Sequence, residues 1–423
     1  MKSRLLGDMI WLGAAQVLAL LARLVGIRVL TEVLPAHIYG EMGLMLAISA
    51  FGIALFANPL IQAAMRHFAD AKRNDSLAHF RSITIRIVQL SAALFALLLC
   101  VAGFLWAEYL GRSPAAVVFL LVAIFTVLDI SRIYEVGILN VAHRQRVMAA
   151  WNIADAWARP FAAALVVMLA GATTTAVFIG YALAVLIVYA IFWRIAAQPV
   201  AAPSRAATDV RLHKQLIDYA LPLAPVALFG WTIGVADRFV LAHQDGPASA
   251  GIYIAAYGLA SAPFLALSKI FVDLFRPRLF DSHAEQNRRR IRALLTNWGL
   301  AFAAAGGAGL YLVTLLVEPL VELALAKSFS AAADLIPWVC LAYFIKGLQA
   351  IFETELLAQK RTQAMLVMQG LSAVGALISY LLLIPPYGAM GAAWGTVASF
   401  AFSLLVSAYL AYRPSTSAPM ETP

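Results

Sequence analysis

The chain is 423 residues long, 63% hydrophobic and only 13% charged, with a mean hydropathy of +0.84. A soluble domain is nearer half apolar and a quarter charged, so this composition excludes an ordinary soluble protein and indicates an integral membrane protein. The formal net charge of +9 raises the question of nucleic acid, which the placement of the charges answers below.

A membrane-crossing helix needs about 20 consecutive, mostly apolar residues. About twelve such runs follow in chain order, near 8–30, 40–64, 83–107, 115–140, 150–170, 174–197, 216–242, 249–272, 293–317, 331–358, 363–384 and 388–411. The first starts close to Met1 with no small-residue cleavage site before the second, so it reads as a retained helix rather than a signal peptide. The expected fold is all-α and polytopic. The expected domains are a six-helix bundle over 1–197, a cytoplasmic linker over 198–215 centred on AAPSRAATD, a second six-helix bundle over 216–412, and a disordered cytoplasmic tail over 413–423.

Cytoplasmic loops carry the excess of Lys and Arg. With the N-terminus inside, Arg112 and Lys327 are outside and Arg23, Arg28, Arg86, Arg132, Arg159, Arg238, Lys269 and Lys346 lie within spans. All other basic residues, among them the cluster Arg66, Lys72, Arg73 and Arg81, fall in cytoplasmic loops. Both termini are therefore cytoplasmic, and the positive charge is mostly topology rather than a sign of a nucleic-acid partner. Cys100 and Cys340 sit in separate apolar runs, and no histidine stands in a spacing such as HExxH. No catalytic constellation, metal site or cofactor motif is visible. The short external loops argue against a membrane enzyme built on a large external loop domain.

Polar landmarks recur at an offset of about 210 residues, the self-similarity expected of transporter halves. Asp8 corresponds to Asp218, Arg28 to Arg238, Gly40 to Gly251, Arg66 to Arg276 and Arg81 to Arg292, and PAHIYGEMGLMLA from Pro35 resembles PASAGIYIAAYGLA from Pro247. An even number of spans per half means that both halves cross in the same sense, related by a pseudo-two-fold axis along the membrane normal. Such halves leave a cleft and imply alternating access.

A charge at the bilayer centre costs about 2.5–3.5 kcal/mol, so charged residues there face a wet cavity or a partner. Asp155 and Arg159, and Lys269 and Asp273, stand at i, i+4, and Asp129 and Arg132 at i, i+3, so each pair can meet on one helix face with no further role. Arg23 has no acid at such a spacing and shares a stripe with Gln16. Lys346 has Glu353 two turns on, too far for direct contact within the helix, and should face water or a ligand. Arg28 and Arg238 lie toward external helix ends, where snorkelling is expected. Pro222 and Pro225 open the second repeat as candidate hinges. Asp129, Asp155, Asp237, Glu135, Glu353 and Glu355 are the acids that can carry a coupling proton or sodium ion.

Three stretches carry a family resemblance: RVLTEVLPAHIYGEMGLMLA, DYALPLAPVALFGWTIGVADRFVLAHQDGPASAGIYIAAYGLA and LFRPRLFD. They resemble the polysaccharide-exporting, Wzx-type O-antigen and exopolysaccharide flippases of the multidrug/oligosaccharidyl-lipid/polysaccharide (MOP) superfamily. The shared features are a Gly-Pro external turn followed by Gly-x-Tyr (Gly246, Pro247, Gly251, Tyr253) and an early Leu-Pro in the seventh span (Leu221, Pro222). The first turn departs from the pattern by one extra residue and lacks the Gly before Pro. The resemblance implies a MATE-like fold and transport rather than catalysis. It further implies an undecaprenyl-pyrophosphate-linked oligosaccharide as cargo, a bacterial inner-membrane location, and polysaccharide polymerase and other assembly proteins as partners alongside membrane lipids.

For an anionic pyrophosphate, Arg offers bidentate geometry and Lys a point charge. The expectation is that Arg23, Arg159 and Lys346 line a cationic cavity, with Arg132 and Lys269 nearer its cytoplasmic mouth. Alternative functions are a MATE-like, cation-coupled multidrug exporter, whose cavity should be acidic, and a lipid II flippase, a class that commonly has further C-terminal spans.

Overall fold

A computed structural model describes residues 2–110, 113–196 and 210–413. The thirteen α-helices are α1 Lys2–Val33, α2 Ala36–Gly52, α3 Asn58–Arg73, α4 Leu77–Leu110, α5 Ser113–Val141, α6 Gln145–Ala170, α7 Thr174–Ala196, α8 Val210–Ala220, α9 Ala224–Ala284, α10 Arg288–Leu315, α11 Val317–Ala324, α12 Ala332–Ala358 and α13 Thr362–Tyr412. Among the described residues, nine helices are long and apolar enough to cross a membrane. Each expected span falls within one such helix or within α1, to within a residue or two, except that the second, 40–64, runs from α2 through the turn Ile53–Ala57 into α3. Most of the expected linker and nearly all of the expected tail lie outside the described residues; the end of the linker, from Val210, begins α8.

Two pairs of expected spans follow one another without an intervening loop, each pair being two helices that meet at a sharp kink and carry one label here. In α9 the helix breaks only at Gly246 (φ 85°, ψ 168°), and in α13 only at Gly388 (φ 54°, ψ −131°). Both values lie where a side chain strains the backbone, so glycine lets two spans join without a loop. Pro222 falls in a 3₁₀ turn, Leu221–Leu223, between α8 and α9. A second proline device joins α2 to α3. Pro59 has no N–H to donate and its ring crowds the carbonyl four residues back, and the chain there widens into a π turn over Ile53–Ala57.

Four turns share one construction. Asp75, His143, Gln286 and Lys360 all have positive φ although none is glycine. The following residue in each case bonds five residues back, Ser76 to the Ala71 carbonyl at 3.0 Å, Arg144 to Leu139 at 2.9 Å, Asn287 to Ser282 at 3.0 Å and Arg361 to Leu356 at 3.1 Å. These are Schellman closures, which satisfy the last carbonyls of α3, α5, α9 and α12. Two occur in each expected repeat, after corresponding helices.

The chain divides into two compact units, Met1–Trp231 with Leu323–Phe329, and Thr232–Glu322 with Ser330–Pro423. In the first, α1 packs on α6, α4 on α5, and α7 on both α5 and α6. Its core joins Ile61, Phe68, Phe80, Val88, Ile130 and Tyr134. The segment Leu323–Phe329 belongs there because Arg28 Nη1 donates to the Leu325 carbonyl, the Ala326 amide donates to Thr31 Oγ1 at 3.2 Å, and Phe329 meets Tyr39 edge to face. The second unit packs α12 on α13 and α10 on α12. Trp298, Phe302 and Ile351 form its aromatic centre, with Phe271, Phe275 and Phe344 against them.

One cytoplasmic-loop assignment is corrected. Arg81 is inside α4, 2% exposed, and its Nη2 reaches both oxygens of Glu135 on α5 at 2.8 and 2.9 Å. Charge counting reads Arg81 as a loop residue because it stands before the apolar run; the helix in fact begins at Leu77 and folds this turn against α5.

Candidate functional site

In the first unit, α5 presents Asp129 and Arg132 and α6 presents Asp155 and Arg159. Each pair is closed along its own helix, Arg132 Nε to Asp129 Oδ1 at 2.8 Å and Arg159 Nε to Asp155 Oδ1 at 3.0 Å. The pairs are also joined across the helices. Arg159 Nη2 lies 2.5 Å from Asp129 Oδ1 and 2.9 Å from Asp155 Oδ2, while Arg132 Nε is 3.5 Å from Asp155 Oδ2. Arg132 Nη1 adds a bond to Asn152 Oδ1 at 3.2 Å, and the Arg159 guanidinium sits 5.3 Å from the centre of the Phe125 ring. The four side chains are between 8% and 19% exposed.

The grouping carries two positive and two negative formal charges, so both pairs that the helical spacing allows are formed, and Arg159 and Arg132 stand beside acids rather than alone. Helix packing places the acid of each pair within reach of the other's arginine, and each charge is neutralised twice. This lowers the cost of keeping arginine in the membrane, since an ion whose partners and hydrogen bonds are complete no longer meets lipid as a bare charge. Arg132 Nη2 makes no hydrogen bond among the described residues, so this guanidinium keeps donors for another acceptor.

Arg23 and Gln16 are both exposed on α1, on one stripe, and Arg23 has no acidic partner among the described residues. Arg28 is instead tied to Glu32 at 3.0 Å and to the Leu325 carbonyl. These placements follow from α1 alone: Glu32 is the i, i+4 acid of Arg28, and Arg23 has none.

In the second unit, Lys346 Nζ reaches Gln349 Oε1 at 3.2 Å and Glu353 Oε1 at 3.4 Å, with Gln349 Nε2 bonded to the same Glu353 oxygen at 2.9 Å. This corrects the expectation that Glu353 is out of reach. A lysine and a glutamate that lean toward one another cover two helical turns, and Gln349, halfway between, braces both. Lys346 also lies 5.7 Å from the Phe400 ring centre. Lys269 pairs with Asp273 at 2.7 Å on an exposed face, 63% and 60% exposed, as an i, i+4 pair.

A further polar network in this unit brings Asp237 and Arg238 together with Tyr253, Tyr343 and Thr396. Asp237 is 1% exposed; Tyr253 donates to its Oδ2 at 2.5 Å, the Arg238 amide to its Oδ1 at 2.9 Å, and Thr396 Oγ1 lies 2.9 Å from the Tyr253 hydroxyl. The Arg238 guanidinium lies 4.8 Å from the Tyr257 ring centre, and Tyr343 donates to the Tyr257 hydroxyl at 2.6 Å. The only trace in the sequence is the acid–base dipeptide itself, since Tyr253, Tyr343 and Thr396 come from distant turns. Replacing Tyr253 with phenylalanine deprives a buried carboxylate of a donor. The variant is expected to lose about 1–3 kcal/mol of stability, read as a lower melting temperature of the detergent-solubilised protein.

The sequence matches the family described as polysaccharide biosynthesis protein over residues 5–283. The chain belongs to that family. No curated protein matches it. Among solved structures, this family member is similar to a lipid II flippase, MurJ, in an inward closed conformation, with 12% identity and a TM-score of 0.71 over 96% of this chain and 87% of the other. It is also similar to an inward-facing multidrug resistance MATE transporter of the MOP superfamily, with 10% identity and a TM-score of 0.68 over 96% of this chain and 97% of the other. A third likeness is to a mutant form of the Vibrio cholerae MATE transporter VcmN, with 12% identity and a TM-score of 0.62 over 97% and 96% of the two chains. At these identities the likeness is one of fold. This family member therefore has the all-helical fold of MOP-superfamily transporters and is a multi-pass membrane protein, and its structural neighbours are transporters and flippases rather than enzymes.

Proposed function

We propose that this member of the polysaccharide biosynthesis family is a flippase that moves an undecaprenyl-pyrophosphate-linked oligosaccharide from the cytoplasmic to the periplasmic leaflet of the bacterial inner membrane, exposing the headgroup alternately to the two sides. The observation that carries this reading is the polarity of the intramembrane groups in a chain of this family. Arg23 is exposed with no acidic partner among the described residues, and Arg132 retains free donors beside a neutralised cluster. A diphosphate supplies two or more negative charges and many acceptor oxygens, for which guanidinium groups give paired, charge-assisted hydrogen bonds. An exporter of cationic drugs should instead leave acids free, and Asp129, Asp155, Asp237 and Glu353 are all engaged.

Native mass spectrometry of the purified protein tests this, with undecaprenyl-pyrophosphate sugars, lipid II and cationic drugs offered in competition. The pyrophosphate-linked sugar should be retained selectively. Arg23→Ala and Lys346→Ala should each weaken retention by about tenfold, the size of one charge-assisted contact of about 1.4 kcal/mol. Preferential retention of drugs would overturn the reading, and preferential retention of lipid II would reassign the cargo.

A further inference from the structure

We propose that the second unit carries a separate docking site for the diphosphate headgroup of the carrier lipid where α9, α10, α12 and α13 turn, with the isoprenoid chain in the apolar groove that continues from it. This rests on the reading that the cargo is linked to a polyprenyl diphosphate. The positive-inside pattern assigns this end of the unit to the cytoplasm, the side from which such a cargo is collected.

A crevice of about 640 Å³ is lined there by Arg288, Arg292, Arg361 and Arg413, with His283 and Glu355. Glu355 supplies the only carboxylate among the described residues of that lining, and it is engaged: both oxygens lie 3.0 Å from His283 Nε2, and Gln359 donates to Oε1 at 2.7 Å. Arg361 Nη1 is turned to the Leu410 and Arg413 carbonyls at 2.7 and 2.9 Å. Arg288, Arg292 and Arg413 are exposed and have no acidic partner among the described residues, in contrast to Arg290 of the same run, which pairs with Glu285 at 2.8 Å. Four guanidinium groups thus converge with one occupied carboxylate, leaving uncompensated positive charge.

The arginines stand on two walls. Arg288 and Arg292 are one turn apart on α10, while Arg361 and Arg413 stand at the start and just past the end of α13. Two linked phosphates can meet both walls at once, whereas the single phosphate of a common phospholipid meets one. The crevice continues into a second of about 430 Å³ that shares Arg292, Leu295, Phe352 and Tyr412. This continuation is walled by Leu348, Ile351, Leu404 and Gly299, an apolar lining that a free phosphate would not use.

The feature is more than the usual basic margin of a membrane protein. The cytoplasmic crevice of the first unit is lined by His67, Asp70 and His79 and, among the described residues, by no arginine. Arg81, the repeat counterpart of Arg292, is sealed there against Glu135. In the second unit the acid near the end of the corresponding helix, Glu355, turns to His283, and Arg292 is left facing the crevice.

The test uses the full-length protein in detergent. Native mass spectrometry counts bound undecaprenyl pyrophosphate in the wild type, in Arg288→Gln/Arg413→Gln and in Gly299→Leu, with cardiolipin, phosphatidylglycerol and inorganic pyrophosphate as separate arms. A Cβ at Gly299 meets only Ile351 Cδ1, at 3.9 Å, so leucine there fills the groove without disturbing the helix. The expected result is two bound lipids in the wild type and loss of one in both variants, with cardiolipin and phosphatidylglycerol failing to displace it and inorganic pyrophosphate bound about tenfold more weakly or less. Unchanged stoichiometry in both variants, or displacement by cardiolipin, would overturn the second site while leaving the proposed cargo standing. Absence of any undecaprenyl pyrophosphate from the wild type would overturn both.

Discussion

Replacing Arg159 with alanine is expected to destabilise the protein by about 3–5 kcal/mol, because it leaves the buried Asp129 and Asp155 with one arginine between them. The double variant Arg159→Met/Asp155→Leu should recover most of that stability, since replacing both partners of a buried pair with apolar groups of similar size is often neutral. Transport separates structure from function here. If Arg159 serves only to neutralise its neighbours, the double variant will restore transport together with the melting temperature. If Arg159 contributes to holding the cargo, the double variant will be as stable as the wild type and still inactive. Thermal unfolding of the detergent-solubilised protein, set beside a flipping assay in vesicles, measures the two quantities independently.

The second large effect is expected at Arg81 and Glu135, whose side chains are 3% and 2% exposed. Glu135→Ala leaves a guanidinium inside the packing of α4 against α5. It should cost about 3–5 kcal/mol, as should Arg81→Ala, whereas Arg81→Met/Glu135→Leu should lie within about 1–2 kcal/mol of the wild type. A double-mutant cycle on melting temperatures checks this. The neighbouring bond between the Thr84 and Tyr134 hydroxyls, at 2.6 Å, belongs to the same buried layer. Part of the single-variant cost should therefore appear as lost order around Tyr134. If Glu135→Ala unfolds no more readily than the wild type, the pair does not hold α4 to α5.

The local pairs were legible in the sequence because helical spacing alone brings i, i+3 and i, i+4 side chains together. Asp129 with Arg132, Asp155 with Arg159 and Lys269 with Asp273 all form as the spacing implies. Their joining was not legible. Arg159 meets Asp129 across 30 residues and Arg81 meets Glu135 across 54, and neither separation has a period that a single sequence displays. The Lys346 contact was misjudged for a different reason: backbone rise was counted, but the length of two flexible side chains and a bracing glutamine were not. The turns at Asp75, His143, Gln286 and Lys360 were equally hidden, because the usual sign of a left-handed helix end is a glycine.

The sequence by itself determined the membrane class, the positions of the spans and the family resemblance. Each of these rests on a property of a short stretch: bilayer thickness sets how many apolar residues a helix needs, and a family's turn motifs are local. Only the tertiary structure decided that Arg159 has a second acid in Asp129, that Arg81 meets Glu135, and that Arg292 faces a crevice where its counterpart Arg81 is sealed. Those outcomes depend on how each helix is rotated about its axis against its neighbours, which is set by the packing of many small and aromatic side chains at once and not by any one segment.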